Sequence, residues 1–396
     1  MTVLIGEFDV ISNNSDKEMK LKIVADENMP LAERIFSEFG NVSLVPGRTM
    51  SADDVEGADL VLVRSVTQVN ETLLAKAEPR FVGTATIGTD HIDTAYLAAQ
   101  NIAFSSAPGC NADAVVEYVL SSVFHLAQTY DFKPEEKTWG IIGVGNVGGR
   151  LHKRLSGLGY NVLLNDPPRA DVEGDDGFVD LDTLLERCDL ICMHTPLTRD
   201  GAHPSHHLLG EAKLARLREG TLLLNAGRGP VIDNAALLKV KQTRPDLKLV
   251  LDVWEHEPVV DPALAAVTEI ATPHIAGYSY DGKVRGTYML YEAVCRLLNR
   301  APAAPLEHYL ATPDVQGVDV QAEVSPLDLI RMRYDPFRDD RALRATLDLS
   351  EIERGQAFDH LRKTYPVRRE FSSLSVGCED PLPAAISALG FKVAAS

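Results

Sequence analysis

The sequence predicts an α/β protein built on two doubly wound parallel sheets, with a smaller α+β unit at the C-terminal end. Three observations predict it. Short apolar runs rich in β-branched residues alternate with helical stretches along most of the chain. A glycine-rich turn, Gly143-Val144-Gly145-Asn146-Val147-Gly148, stands between a strand and an amphipathic helix. After APAAP at 301–305 the style changes, and charged stretches such as RMRYDPFRDDRALR and FDHLRKTYPVRREF take over.

The elements follow in order. Residues 1–18 read as an extension ahead of the first domain, without the basic start and apolar stretch of a secretory signal. KLKIVAD, LVLVRS, RFVGTAT and IAFSSA read as strands, with LAERIFSEFG and DTAYLAAQ as helices between them. NADAVVEYVLSSVFHLAQ reads as a longer helix. Its Val115, Val119 and Val123, with Val116, Leu120 and Phe124 alongside, make a broad apolar stripe suited to a connector packed between two lobes. A second series then runs TWGIIGVG, NVLLND, DLICMHTP, TLLLNAGRG, KLVLDVW and EIATPH. Six strands with helices between them fit a dinucleotide-binding sheet. A further helix is expected from near Lys283 to about Asn299.

Composition bounds the function. The 396 residues suit two to three domains, each able to bury its own core. The formal net charge of −18 argues against nucleic-acid and anionic-membrane partners. It leaves room for an anionic substrate, which needs only a few local cations. No run is long and apolar enough to predict a transmembrane helix. Cys110, Cys188, Cys192, Cys295 and Cys378 are odd in number and scattered, which suits reduced thiols in a cytoplasm. Residues 166–189 hold nine acids against two bases, so acidity concentrates just after the glycine loop.

The loop carries the first functional signal. Gly143 permits the tight turn, Gly145 lets backbone approach a pyrophosphate, and Gly148 lets helix and strand pack closely. Asn146 and Val147 should present N–H groups to the phosphates at the helix N-terminus. Asp166 closes the next strand, close to the interval of about twenty residues expected for the ribose-binding acid. Its charge would repel a 2′-phosphate, which favours NAD over NADP. Arg169, close by in sequence, would weaken that preference.

Three residues carry the second signal. Arg228 follows TLLLNAG, Glu257 lies in DVWEHEP, and His274 ends ATPH; each sits after a strand, where ligands collect in such sheets. Oxidation of a hydroxy acid needs a base near neutral pKa, which suits histidine. It also needs a cation for the carboxylate and developing carbonyl, which suits the planar fork of arginine. A glutamate beside the imidazole would orient it. Asp252, ending KLVLDV, is placed to meet the nicotinamide end of the cofactor. Taken singly, each has a bland reading as a solvated or packing residue, and spacing alone cannot bring the three together.

VGTATIGTDHID, APGCNADAVVEYV, IIGVGNVGGRL, NAGRGPVID, LDVWEHEP and TPHIAGY together resemble the D-isomer-specific 2-hydroxyacid dehydrogenase family. ADENMP, VPGR, VRSVTQVNETLL, PGCNA, HIAGY and YPVRREFSSL resemble one subgroup of it, over about residues 20 to 395. The resemblance implies NAD-dependent oxidation of 4-phospho-D-erythronate to 2-oxo-3-hydroxy-4-phosphobutanoate, a step of pyridoxal 5′-phosphate synthesis. It makes His274 the acid/base held by Glu257, and Arg228 the group that binds and polarises substrate. Asn146, Val147, Asp166, Thr195, Ala226, Gly227, Arg228, Asp252 and Gly277 match cofactor positions. Ser65, Thr86 and Tyr278 match substrate contacts. The implied fold is two Rossmann-like lobes with the active site between them: a substrate domain of 19–112 and 276–300, and an NAD domain of 113–275. Residues 306–396 resemble a C-terminal dimerisation domain, which implies a homodimer. NAGRG carries Ala226-Gly227 where near relatives can have a cysteine before the arginine.

The phosphate site is open. Arg48, Arg64 and Arg285 are candidate cations, each with a solvated reading beside it. His203, His206 and His207 could suggest a metal. No carboxylate or cysteine is spaced with them, and a polar loop is expected instead. Two alternatives stand beside the leading reading. One is another D-2-hydroxyacid dehydrogenase, such as one acting on 3-phosphoglycerate. The other is a non-catalytic NAD-sensing, partner-binding protein on the same fold.

Overall fold

The computed structural model describes residues 20–320, 324–378 and 382–394. The extension expected at 1–18 lies outside the described residues. The chain divides into two compact units, one of residues up to 111 with 280–311, the other of 112–279 with 312 onward.

The first unit holds a five-stranded parallel sheet. Its strands are β1 (Leu21–Asp26), β2 (Gly40–Val45), β3 (Leu60–Val63), β4 (Phe81–Thr84) and β5 (Ala103–Ser106), in the order β2-β1-β3-β4-β5. One face packs Ile23, Leu60, Leu62 and Phe81 against helices Ala32–Phe36 and Tyr280–Leu297. The other packs Val24, Val61, Val63 and Val82 with Leu97 of helix Thr94–Ala99. Burial on both faces is why β3 and β4 read as unbroken apolar runs. β2 is absent from the sequence reading for the opposite reason. It is an edge strand, GNVSLV, fully buried at none of its positions. The helix expected from Lys283 begins three residues earlier, at Tyr280, so the chain re-enters this unit there rather than at 276.

The second unit holds six parallel strands: β6 (Thr138–Ile142), β7 (Asn161–Asn165), β8 (Leu190–Met193), β9 (Leu222–Asn225), β10 (Lys248–Leu251) and β11 (Ile270–Ala271). Their order is β11-β10-β9-β8-β6-β7. The chain reverses direction across the sheet at β6, where crossovers lead to opposite sides and leave a crevice at the strand ends. All six expected strands are present. Helix Ala112–Tyr130 carries the expected apolar stripe. It packs within this unit, in one core with Trp139, Ile141, Leu151 and Leu155.

The C-terminal segment adds a small parallel sheet, β12 (Gly317–Asp319), β13 (Ser375–Gly377) and β14 (Lys392–Val393), ordered β12-β13-β14. It was expected as a third unit, and its α+β content fits. Its core, however, is continuous with that of the second unit. Leu327, Ile330, Tyr334, Phe371 and Leu374 join Val116, Tyr118 and Leu120 in one cluster. A buried polar network reinforces the join. Glu117 accepts the Phe371 N–H at 2.7 Å, Arg368 donates to the carbonyls of Ala114 and Ala276, and Ser279 donates to Glu370 at 2.8 Å. Burial pushes the Glu117 carboxyl well above the usual carboxylate range, with Glu370 adding to it.

Candidate active site

The glycine loop is tied to the strand ends around it. Gly143 has φ 86°, a left-handed conformation that glycine adopts freely. A Cβ at Gly148 would lie 2.0 Å from the Gly143 carbonyl, so only glycine lets this helix sit on the turn. Helix Asn146–Gly157 begins after Gly145 with no side-chain cap, which leaves the first N–H groups, those of Asn146 and Val147 among them, available to an anion. A Cβ on Gly145 would meet nothing within 4 Å, so backbone is open to a ligand there.

Asp166 accepts the Val144 N–H at 2.7 Å and the Arg169 N–H at 3.2 Å, which fixes its carboxylate beside the loop. Arg169 is held by Glu173 through two bonds of 2.7 and 2.6 Å, and it donates to the Val144 carbonyl. Its fork is thus paired with Glu173 at the surface beside the loop. After β8, the Thr195 hydroxyl is buried without a partner among the described residues. A buried orphan hydroxyl beside an uncapped helix N-terminus is the donor set a dinucleotide would complete. His194 beside it is half-buried with both ring nitrogens shielded, and burial pushes its imidazole down to about 3, so it stays neutral.

The loops after β9, β10 and β11 lock together. Asn225 donates to the Arg228 carbonyl and accepts the Gly227 N–H, which shapes the Ala226–Arg228 turn. A Cβ at Gly229 would lie 2.0 Å from the Trp254 carbonyl, so the Arg228 loop lies directly on the chain leading to Glu257. Glu257 accepts the Trp254 N–H at 2.8 Å with one oxygen and meets His274 Nδ1 at 2.7 Å with the other. Its burial opposes ionisation. The His274 charge and hydrogen bond, the Trp254 N–H and Arg362 outweigh that, and hold the carboxyl below the usual range.

His274 itself sits at φ 55°, left-handed for a residue with a side chain. Asp252 explains how that conformation persists. Its buried carboxylate accepts the Thr272 hydroxyl at 2.7 Å, the Ile275 N–H at 2.8 Å and the Ala276 N–H at 2.9 Å. Its carbonyl accepts the His274 N–H at 2.7 Å. Asp252 thus clamps the histidine loop, a role the sequence reading, which placed it toward the nicotinamide, did not contain. Burial pushes its carboxyl up, against the His274 charge and the three donors. Asp252→Asn is expected to turn an acceptor toward a donor in this clamp, costing about 1–3 kcal/mol. A fall in Tm with a parallel loss of turnover checks it.

Tyr118, Thr272 and Trp254 were also missed. The Tyr118 hydroxyl bonds Thr272, and Trp254 donates to the Thr272 carbonyl at 3.0 Å. Each looks like an ordinary core residue in sequence, and only the fold shows that it braces the Asp252 clamp.

In the first unit, Ser65 lies exposed after β3, and Thr86 lies half-buried after β4. Thr86 bonds the Thr84 hydroxyl at 2.8 Å and the Gly88 carbonyl at 3.1 Å. Thr67 donates to the Gly47 carbonyl at 2.8 Å, which ties the loop carrying Arg64 to the loop carrying Arg48. Arg285 donates to the Cys110 carbonyl from helix Tyr280–Leu297. In the second unit, Gly277 accepts the Ser279 N–H, and Tyr278 meets Tyr365 edge-on, with ring centroids 5.6 Å apart.

The histidine loop corrects one expectation. Carboxylates absent from its sequence neighbourhood arrive from elsewhere: Asp171 bonds His203 at 2.7 Å, and Glu255 bonds His207 at 2.5 Å. Sequence spacing could not show this, because the acids come from separate segments. His206 stacks on His207, and with Glu255 the two offer ligand atoms within 4.8 Å of one another. His207 also faces Asp233 at 3.7 Å, as an ion-paired loop residue does. The five cysteines are unpaired, and burial pushes the Cys188 thiol up to about 12.

Residues 118–276 match the family model described as the D-isomer specific 2-hydroxyacid dehydrogenase, NAD binding domain. Residues 309–390 match a domain of unknown function. The erythronate-4-phosphate dehydrogenase of Proteus mirabilis is 49% identical over 375 residues, covering 94% of this chain and 99% of its own. That of Pseudomonas fluorescens is 51% identical over 358 residues, covering 89% of this chain and 94% of its own. The NAD+-bound 3-phosphoglycerate dehydrogenase of Entamoeba histolytica has the same fold, with a TM-score of 0.61 at 22% identity, covering 71% of this chain and 96% of that one. The chain therefore belongs to the erythronate-4-phosphate dehydrogenases, NAD-dependent members of the D-isomer-specific 2-hydroxyacid dehydrogenase family.

Proposed function

We propose that the chain oxidises C2 of 4-phospho-D-erythronate to give 2-oxo-3-hydroxy-4-phosphobutanoate, in the cytoplasmic synthesis of pyridoxal 5′-phosphate. The observation that carries the chemistry is the Glu257–His274 pair at 2.7 Å on a loop clamped by Asp252. With Nδ1 held by Glu257, Nε2 of His274 is the nitrogen that takes the hydroxyl proton. Bound NAD supplies the hydride acceptor. Arg228 grips the substrate carboxylate and stabilises charge on the developing carbonyl. Ser65, Thr86 and Tyr278 contact substrate. Gly143, Gly145, Asn146, Val147, Gly148 and Asp166 cradle the pyrophosphate and ribose. Thr195, Ala226, Gly227, Asp252 and Gly277 complete the cofactor site.

Arg48 and Arg64 are proposed for the substrate phosphate because their loops are tied together at the C-terminal ends of β2 and β3. The first unit then serves as the substrate domain, and the sheet of the second as the NAD domain. The name of the relatives supports the four-carbon phosphorylated acid as substrate. The ratio of kcat/KM for 4-phosphoerythronate and 3-phosphoglycerate tests it, and a preference for 3-phosphoglycerate would reverse the assignment.

The C-terminal segment is proposed to form a homodimer. Met332, Leu349, Ile352 and Val367 are exposed apolar side chains on it, with Ile352 76% exposed. Among the described residues no helix is long and apolar enough to cross a membrane.

A further inference from the structure

Loops that follow neighbouring strands of the second unit meet next to the Arg228 turn. His206 and His207 lie between β8 and β9, and Glu255 follows β10. Each offers a ligand atom, and the three atoms lie within 4.8 Å of one another. Adjacent side chains of an extended chain point to opposite sides. Here His207 takes φ 50°, and the two imidazoles stack instead, with ring centroids 4.0 Å apart and planes 18° from parallel. A left-handed backbone at a residue with a side chain persists only where its surroundings hold it. Two backbone bonds do so: the His207 N–H donates to the Pro230 carbonyl at 2.8 Å, and the Leu209 N–H to the Val231 carbonyl at 3.2 Å.

We propose that His206, His207 and Glu255 form a site for one divalent transition-metal ion of the zinc class. The ion takes the place of the proton between His207 Nε2 and Glu255 Oε1, which stand 2.5 Å apart. That proton passes to solvent. Two ligand atoms on a tetrahedral zinc, with bonds of about 2.0–2.2 Å, stand about 3.3 Å apart, so the pair opens by less than about 1 Å. Imidazole lone pairs lie in the ring plane, so His206 turns out of the stack to supply the third ligand, and solvent supplies the fourth. The groups behind the trio separate it from a chance ion pair. A metal-bound imidazole presents its other N–H to a carboxylate or carbonyl, and a metal-bound carboxylate is itself hydrogen-bonded. His207 Nδ1 faces Asp233 at 3.7 Å. Asp233 is fixed in turn, because its other oxygen caps helix Asn234–Thr243 by accepting the Ala236 N–H at 2.9 Å. The second oxygen of Glu255 accepts the Asn234 N–H at 3.1 Å, and the Asn234 side chain accepts the Glu255 N–H at 3.2 Å. Two imidazoles and one carboxylate suit Zn2+, Co2+, Ni2+ or Cu2+, whereas Mg2+ and Ca2+ take oxygen sets. The Glu255 side chain is 14% exposed and that of His207 35%, which leaves an ion a way in. The ion fastens loops rather than doing chemistry: it joins the loop after β8 to the chain two residues before Glu257.

The test uses the untagged full-length protein, freed of metal with a chelator. Zinc chloride is titrated in by calorimetry, and Co2+ is followed by its visible absorption. The wild type is expected to bind one zinc ion per chain and to give visible Co2+ bands. His206→Phe keeps a ring on the stack without a ligand nitrogen. Glu255→Gln keeps an acceptor for the Asn234 N–H and loses the anionic ligand. Each should weaken zinc at least about 10-fold, the loss already typical of removing a group behind the ligands. His203→Asn, which leaves the trio intact, should bind as the wild type does. Zinc should raise the Tm of the wild type more than that of either variant, and Mg2+ should raise none. Zinc binding in the wild type no tighter than about 1 mM would overturn the proposal. So would wild-type affinity in His206→Phe or Glu255→Gln with native circular dichroism. A loss confined to His203→Asn would move the site to the His203–Asp171 pair and overturn it too. None of these measurements needs substrate, so they decide the site whether or not 4-phosphoerythronate is oxidised.

Discussion

Replacing His274 with asparagine is expected to lower kcat/KM for the hydroxy acid by about 10³-fold and leave NAD affinity nearly unchanged. The imidazole holds no structural bond that asparagine would sorely miss beyond the one to Glu257. The backbone at this position is fixed by Asp252 and takes φ 55°, a region that asparagine tolerates better than most residues. The loop should therefore keep its shape while losing its base. Glu257→Gln should also lower turnover: its amide oxygen can still accept the Trp254 N–H, but its NH2 then faces Nδ1 as a donor and favours the tautomer that carries the proton on Nε2. What it removes is the charge that orients the imidazole. Steady-state kinetics with a separate measurement of NAD binding check both. Full turnover by the His274→Asn protein would refute the acid/base assignment.

Arg228→Lys is expected to lower kcat/KM by about 10²–10³-fold, with kcat and KM both affected. Lysine keeps the positive charge but loses the planar fork that grips a carboxylate with two bonds. It also loses the bond from the guanidinium to the Gly227 carbonyl, which holds the side chain at the end of its turn. Because Gly229 lies against the Trp254 carbonyl, a shift of this turn would pass to the chain leading to Glu257. A kcat and KM close to wild type would show that charge alone suffices there.

Much of this was legible in the sequence, and the failures have physical causes. Strands buried on both faces announced themselves as apolar runs, and all six strands of the second sheet were found. The edge strand β2, half exposed and without a clean alternation, was not. The glycine loop was legible because each glycine answers a separate steric demand, which the structure meets at Gly143 and Gly148. The Glu257–His274 contact was readable only through family resemblance. Seventeen residues separate the two along the chain, and nothing local forces them together. The Asp252 clamp was not legible because two of its partners are backbone N–H groups, which carry no sequence signature, and the third, the Thr272 hydroxyl, lies twenty residues away. The acids beside His203 and His207 were missed because they approach from other segments.

The central claim is hydride transfer from 4-phosphoerythronate, with His274 as the base. Absorbance at the NADH band, followed with 4-phosphoerythronate and NAD in the presence and absence of an added 2-oxo acid, tests it most directly. The account predicts that substrate generates the NADH band in the wild type and about 10³-fold more slowly in His274→Asn. The arm with the 2-oxo acid shows whether NADH is released or reoxidised in place. No NADH band with 4-phosphoerythronate, alongside a strong one with another 2-hydroxy acid, would contradict the substrate. No band with any 2-hydroxy acid would contradict the enzyme reading and favour an NAD-sensing role.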